Sequence, residues 1–271
     1  MLLTIDHTTR YHYEAPGMYA VQRLRLTPPD TGSQSILHWT IDAPGIESAA
    51  VHTDCFGNIV HLIAQANPQS DLVITASGQA ETHDTDGISG PDNTQANPRI
   101  FLNATRLTES SEGIDAIARQ ARDEAGTDDV VAMLHVLMRM IAESVAYDTD
   151  STHAGTTARE AFETRRGVCQ DHTHILIAAA RFLEIPARYV TGYLHVDSDE
   201  GALAHHAWAE AYVPDLGWVG FDPANRVCPT EHYLRLACGF DAIGAAPITG
   251  LRKGGGDEKL TVDVTVKQQQ Q

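Results

Sequence analysis

The hydrophobic pattern of this chain changes period twice, and that change limits the fold more than any other feature. Up to about residue 80, short runs rich in branched and aromatic residues read as strands, at 22–26, 36–41, 58–63 and 72–75. Turn residues separate them at Pro28-Pro29-Asp30, Ala43-Pro44-Gly45, Phe56-Gly57-Asn58 and Asn67-Pro68. Several strands with no helical period between them predict a small antiparallel β-sandwich. The period then becomes helical. Ile114, Ile117, Ala118, Ala121 and Ala125 share one face, as do Val130, Leu134, Leu137, Met138, Ile141 and Val145. Asp128 and Asp129 stand before the second set, where a helix N-terminus favours acids. Thr157 and Glu160 match a capping box for a short helix ending near Arg165. A further apolar helix is predicted over 170–183, stopped by Ile185-Pro186. Strand patterns return at 187–196, 206–213 and 217–221, and 260–266 alternates cleanly as a final strand before a glutamine tail expected to fray.

These segments predict an α+β protein. A β-rich N-terminal domain occupies 1–82, and a polar linker and the start of a second domain occupy 83–107. The second domain, helices packed on an antiparallel sheet, spans 108–250, and a closing strand and tail follow over 251–271. With 36 acidic and 19 basic residues, the formal charge is −17. Nucleic acid and anionic membrane require clustered Lys and Arg, so neither is expected as a partner. No uninterrupted apolar run is long enough to span a bilayer. No signal peptide is visible, and four scattered cysteines (55, 169, 228, 238) make no disulfide framework. A reducing cytoplasm is the expected compartment, and it would keep thiols free.

One constellation carries chemistry. Cys169 falls at the start of the predicted helix, where free backbone N–H groups and the helix dipole favour a thiolate. Gly167 allows a tight turn into that helix, and the Cys169 N–H is free to face a developing oxyanion. His206 opens a strand in which His206, Trp208, Glu210 and Tyr212 share a face. Asp222 ends the next strand, and the Pro214-Asp215-Leu216-Gly217 turn makes the two strands a hairpin. A thiol, an imidazole and a carboxylate so placed are the parts of a nucleophilic acyl-transfer site.

His205 is the rival for His206, and strand register favours His206. His172 and His174 stand at i and i+2 on a helix and cannot easily chelate one ion, so no metal and no cofactor are expected. His174 reads as a packed group behind the site. Trp208 and Trp218 read as core or as cleft walls, Cys55 as structural, and Cys228 and Cys238 as free thiols. Gln170 is a candidate for the second oxyanion donor.

The segments 167–174 (Gly-Val-Cys-Gln-Asp-His-Thr-His), 185–193 (Ile-Pro-Ala-Arg-Tyr-Val-Thr-Gly-Tyr), 206–210 (His-Ala-Trp-Ala-Glu) and 217–223 (Gly-Trp-Val-Gly-Phe-Asp-Pro) resemble the core of the bacterial transglutaminase-like superfamily. The first 80 residues are similar to the β-rich region that often precedes that core. The resemblance implies a papain-like fold with Cys169 as nucleophile, His206 as general base and acid, and Asp222 as the orienting carboxylate. Two positions depart from the pattern. His172 stands where an aromatic is commoner, and Gly239-Phe240-Asp241 lacks the usual arginine. The expectation is a cysteine protease or amidase acting on a peptide or protein amide through a thioester. An amine-accepting transglutaminase and a non-catalytic peptide-binding module are the alternatives. Hydrolysis is favoured, since water is always present and no EF-hand-type calcium loop is seen.

Overall fold

The computed structural model describes every residue except 92, 93, 95, 127, 128, 197–204 and 269–271. The N-terminal third supplies six strands, three to each sheet, of a sandwich of two four-stranded antiparallel sheets. These six are β1 (Leu2–Tyr13), β2 (Tyr19–Thr27), β3 (Gln34–Asp42), β4 (Ala50–Thr53), β5 (Ile59–Ala66) and β6 (Asp71–Thr82). Buried and exposed residues alternate along β1 and β6, the pattern of strands with one face on a core. After β7 (Ile88–Gly90) come helices α1 (Glu112–Ala125) and α2 (Val130–Ser144), then β8 (Ala146–Tyr147), α3 (Ala158–Thr164), β9 (Arg166–Gly167) and α4 (Cys169–Phe182). The strands β10 (Ala187–Leu194), β11 (His205–Val213), β12 (Gly217–Phe221) and β13 (Tyr233–Gly239) follow, and β14 (Ile248–Lys253) and β15 (Glu258–Gln268) close the chain.

The helices start where capping chemistry says they should. Ser111 accepts from the Ile114 N–H, and Asp129 accepts from the N–H groups of Val131 and Ala132. Asp128, expected beside it, lies outside the described residues. Thr157 and Glu160 close a full capping box on α3. From Asp171 to Arg181, α4 is buried throughout, packed among α1, α2 and the small residues Ala207, Ala209 and Ala211 of β11.

The sheet that carries the expected site has the order β13-β10-β11-β12-β7 and is antiparallel throughout. Part of the polar stretch after residue 82 is therefore strand, because β7 pairs with β12 at the sheet edge. The expected final strand exists, and it returns to the other end of the chain. β15 pairs with β1, and β14 pairs with β2, so the last two strands supply one edge strand to each sandwich sheet. Of the tail expected to fray, residues 269–271 lie outside the described part. The sandwich core of Leu3, Ile5, Leu24, Ile63 and Ile74 is continuous with Tyr193, Leu234 and Leu236 of the five-stranded sheet. That sheet is thus covered by helices on one face and by the sandwich on the other.

Candidate active site

Cys169 is the first residue of α4, with Val168 as extended N-cap. Four hydrogen bonds fix this helix start. The Asp171 carboxylate accepts from the Val168 N–H at 2.8 Å and from the Thr152 hydroxyl at 2.7 Å. The His172 ring reaches the Val168 carbonyl at 2.9 Å and the Val145 carbonyl at 3.0 Å, tying α4 to the end of α2. Gly167 lets the chain pass close to Asp171, since a Cβ there would fall 2.6 Å from the Asp171 Cβ.

His206 stands one residue into β11, and Asp222 directly follows β12. The hairpin brings them together with His206 Nε2 2.6 Å from Asp222 Oδ2, and the imidazole also hydrogen-bonds the Cys169 side chain. Asp222 is fully buried and accepts further from the Tyr233 hydroxyl at 2.8 Å and the Asn225 amide at 2.8 Å. Its other oxygen takes the N–H groups of Ala224 and Asn225. Burial alone would raise this carboxyl, yet the hydrogen bonds from His206, Asn225 and Tyr233 and the nearby imidazole outweigh it and hold the group below the usual range. For His206, burial works against the charged ring. The bonds and attraction to Asp222 and Cys169 win and push it up to about 10. A ring that stays protonated beside a sulfur is the condition for a thiolate–imidazolium pair.

The other residues singled out in the sequence divide. Trp208 is buried beneath the site, its ring stacked with His206 at 6.5 Å and lying over Gly192, where no Cβ would fit. His205 lies beside the same cleft, with Nε2 3.0 Å from the Thr191 hydroxyl, but makes no contact with Asp222. His174 is fully buried in α4, accepting from the Ala242 N–H at 3.1 Å and lying against Tyr189. Trp218 is core, with the Arg188 guanidinium 3.9 Å above its ring and Phe101 at its edge. The Gln170 amide points at the Ala154 carbonyl, 3.4 Å away. Phe240, where an arginine was the commoner residue, packs against both Phe56 and Phe101 in a cluster of three rings.

Sequence reasoning passed over Tyr147. Its hydroxyl accepts the backbone N–H of Cys169, and burial first, then the charges at Cys169 and Asp222, raise its pKa so that it stays a neutral phenol. It reaches the site through a two-residue parallel pairing of β8 with β9, which leaves no local signature. Tyr233 and Asn225 were also missed. The cleft above the thiol, about 670 Å³, has Cys169, His206 and Tyr147 on one wall and residues of β1, β14 and β15 on the other. A larger cavity of about 930 Å³, beside Arg188 and Arg235, shares no lining residue with it.

Comparison with known proteins agrees with this arrangement. Residues 115–223 match the transglutaminase-like superfamily core, and residues 3–81 match the bacterial transglutaminase-like N-terminal region. The chain belongs to the transglutaminase-like superfamily. An uncharacterized protein of Mycobacterium leprae is 28% identical across 97% of this chain and 98% of its own length. A protein-glutamine gamma-glutamyltransferase of Pseudomonas aeruginosa is 31% identical over 44% of this chain, which corresponds to 20% of that protein. A solved Cytophaga hutchinsonii structure, provisionally named a cysteine protease, aligns with a TM-score of 0.75 over 98% of this chain and 90% of its own, at 24% identity. The α+β architecture of this superfamily member is therefore that of the papain-like, transglutaminase-like fold.

Proposed function

We propose that this superfamily member is a cysteine amidohydrolase acting on peptide or protein amides through Cys169, His206 and Asp222. The observation that carries the reading is His206 bridging the Cys169 side chain and the Asp222 carboxylate, with its ring held protonated at neutral pH. The Cys169 sulfur attacks the amide carbonyl and forms a C–S bond. The oxyanion takes the Cys169 N–H in place of the Tyr147 oxygen, and the phenol released from that bond turns its own O–H to the same oxyanion. Collapse breaks the C–N bond as the His206 ring gives its proton to the departing nitrogen. Water, deprotonated by His206, then resolves the thioester to a carboxylic acid and restores the pair. Asp222 keeps one ring nitrogen engaged, so that the other faces sulfur. The four free cysteines support a reducing compartment, the cytoplasm, for such a thiol.

Iodoacetamide labelling of Cys169 against pH tests the pair. Fast alkylation well below pH 8 that slows in His206→Ala supports it, with Cys169→Ala removing both labelling and any amide cleavage. An ordinary thiol indifferent to His206 sinks it and favours a non-catalytic peptide-binding module. The Pseudomonas aeruginosa relative, named as a glutamyltransferase, favours a second reading in which a primary amine resolves the thioester. Covalent incorporation of a fluorescent alkylamine into casein, blocked by Cys169→Ala, would establish that reading.

A further inference from the structure

We propose that the segment presented to Cys169 is an extended, uncharged peptide that pairs with the open edge of β15. This rests on the assignment of Cys169 as nucleophile. β15 is the outermost strand of its sheet and, among the described residues, pairs only with β1. One row of its backbone N–H and C=O groups is therefore available to a further strand. Four consecutive mid-strand residues, 262 to 265, border the cleft that holds Cys169 and His206. The cleft lies over the sheet face formed by His7, Thr9 and Tyr11 of β1 with their β15 partners Val264, Val262 and Leu260, and at β15 it reaches the strand's open edge, where the intervening Asp263 and Thr265 also border it. The open edge and the thiol thus share one cleft. A peptide added there as a strand would be held by its main chain and would bring a backbone amide along the wall facing the sulfur.

The lining indicates which side chains such a peptide carries. Leu260 and Val262 are 51% and 46% exposed, an apolar strand face left open to water beside the site. An exposed apolar edge invites pairing, and proteins normally blunt one with charge. Here the charged group in the run is Asp263, which is taken up by Arg10 at 2.6 Å. Apart from His206, the histidines of the cleft are His7 and His205, which burial holds near 4 and neutral at pH 7. His7 is further engaged by the Tyr193 hydroxyl and Thr9. In a chain of net charge −17, a wall without unpaired charge favours apolar segments and disfavours acidic ones.

The test uses full-length protein and iodoacetamide groups attached to either end of a Val-Leu-Val-Leu tetrapeptide. Each alkylation rate at Cys169 is divided by the same protein's rate with plain iodoacetamide. The expected gain is at least about tenfold in one orientation, the ratio that separates a specific contact from chance encounter. Methylating the peptide's backbone nitrogens, or exchanging valine for aspartate, should remove the gain, and so should Val262→Asp in the protein. No gain in either orientation, or a gain that survives N-methylation, overturns the pairing. So does a dimer in sedimentation that Val262→Asp dissociates, because the edge then belongs to a second copy. Plain iodoacetamide reacting slowly, and equally in His206→Ala, marks failure of the nucleophile assignment instead.

Discussion

At the scale of single residues, the site is governed by how two buried groups are kept charged. His206 has its pKa raised from 6.5 to about 10, so it favours the folded state fully below 6.5 and loses that contribution as pH rises through about 10. Urea midpoints of wild type and His206→Ala should therefore differ most near pH 6 and converge toward pH 10. A gap that widens with pH would contradict the protonated ring. Asp222 works in the opposite sense. Its depressed pKa adds stability above 3.8 that is lost as pH falls further. Tyr233 supplies one of the hydrogen bonds that keep it so, and Tyr233→Phe should cost about 1.5–3 kcal/mol in urea denaturation at pH 7. The same variant should slow Cys169 alkylation, since a less firmly ionised Asp222 holds less charge on His206. Of these groups, Cys169, His206 and Asp222 were legible from sequence because each falls at a recognisable element boundary. Tyr147, Tyr233 and Asn225 were not, because each arrives through a pairing or loop whose partner is distant in the chain.

At the scale of elements, local chemistry explains what could be read. The capping box of α3 and the Asp129 cap of α2 are written in adjacent residues, and both helices begin where those residues stand. Thr157→Ala should cost about 1 kcal/mol, measured as a lowered urea midpoint. Gly167→Ala should cost more, since its Cβ would press on Asp171, which caps the helix bearing the thiol. It should also slow alkylation of Cys169, an effect that Thr157→Ala should not produce. β13 escaped notice for a different reason. All seven residues from Tyr233 to Gly239 are buried, Arg235 included, so neither face is exposed and the alternation that marks a half-buried strand is missing. β15 alternates in sequence and was expected, but its pairing with β1 is set by the fold as a whole. That pairing is what makes the β-sandwich a wall of the cleft.

At the scale of the molecule, the sandwich and the sheet carrying His206 share one core. Tyr193, Leu234 and Leu236 of that sheet pack among Leu3, Leu24 and Leu72 of the sandwich. Further cross-links reinforce the joint. The Gln34 side chain takes the Arg235 N–H and donates to the Arg235 carbonyl, while Asn58 does the same for Cys238. The last two strands then return to the first two, so the sandwich requires both ends of the chain. Neither half can expose this boundary without stranding buried backbone partners and a continuous apolar surface, which makes independent melting costly. The whole chain should accordingly unfold in one cooperative step. A Trp39→Phe variant leaves Trp208 and Trp218 as the fluorescent reporters of the second sheet, while far-UV circular dichroism follows the strands and helices of both parts. The two urea transitions should coincide, and labelling of the buried Cys238 should begin at the same midpoint. Separate midpoints would mean that the sandwich is an independent attachment, and its strands could then not hold a cleft wall in fixed register with the thiol.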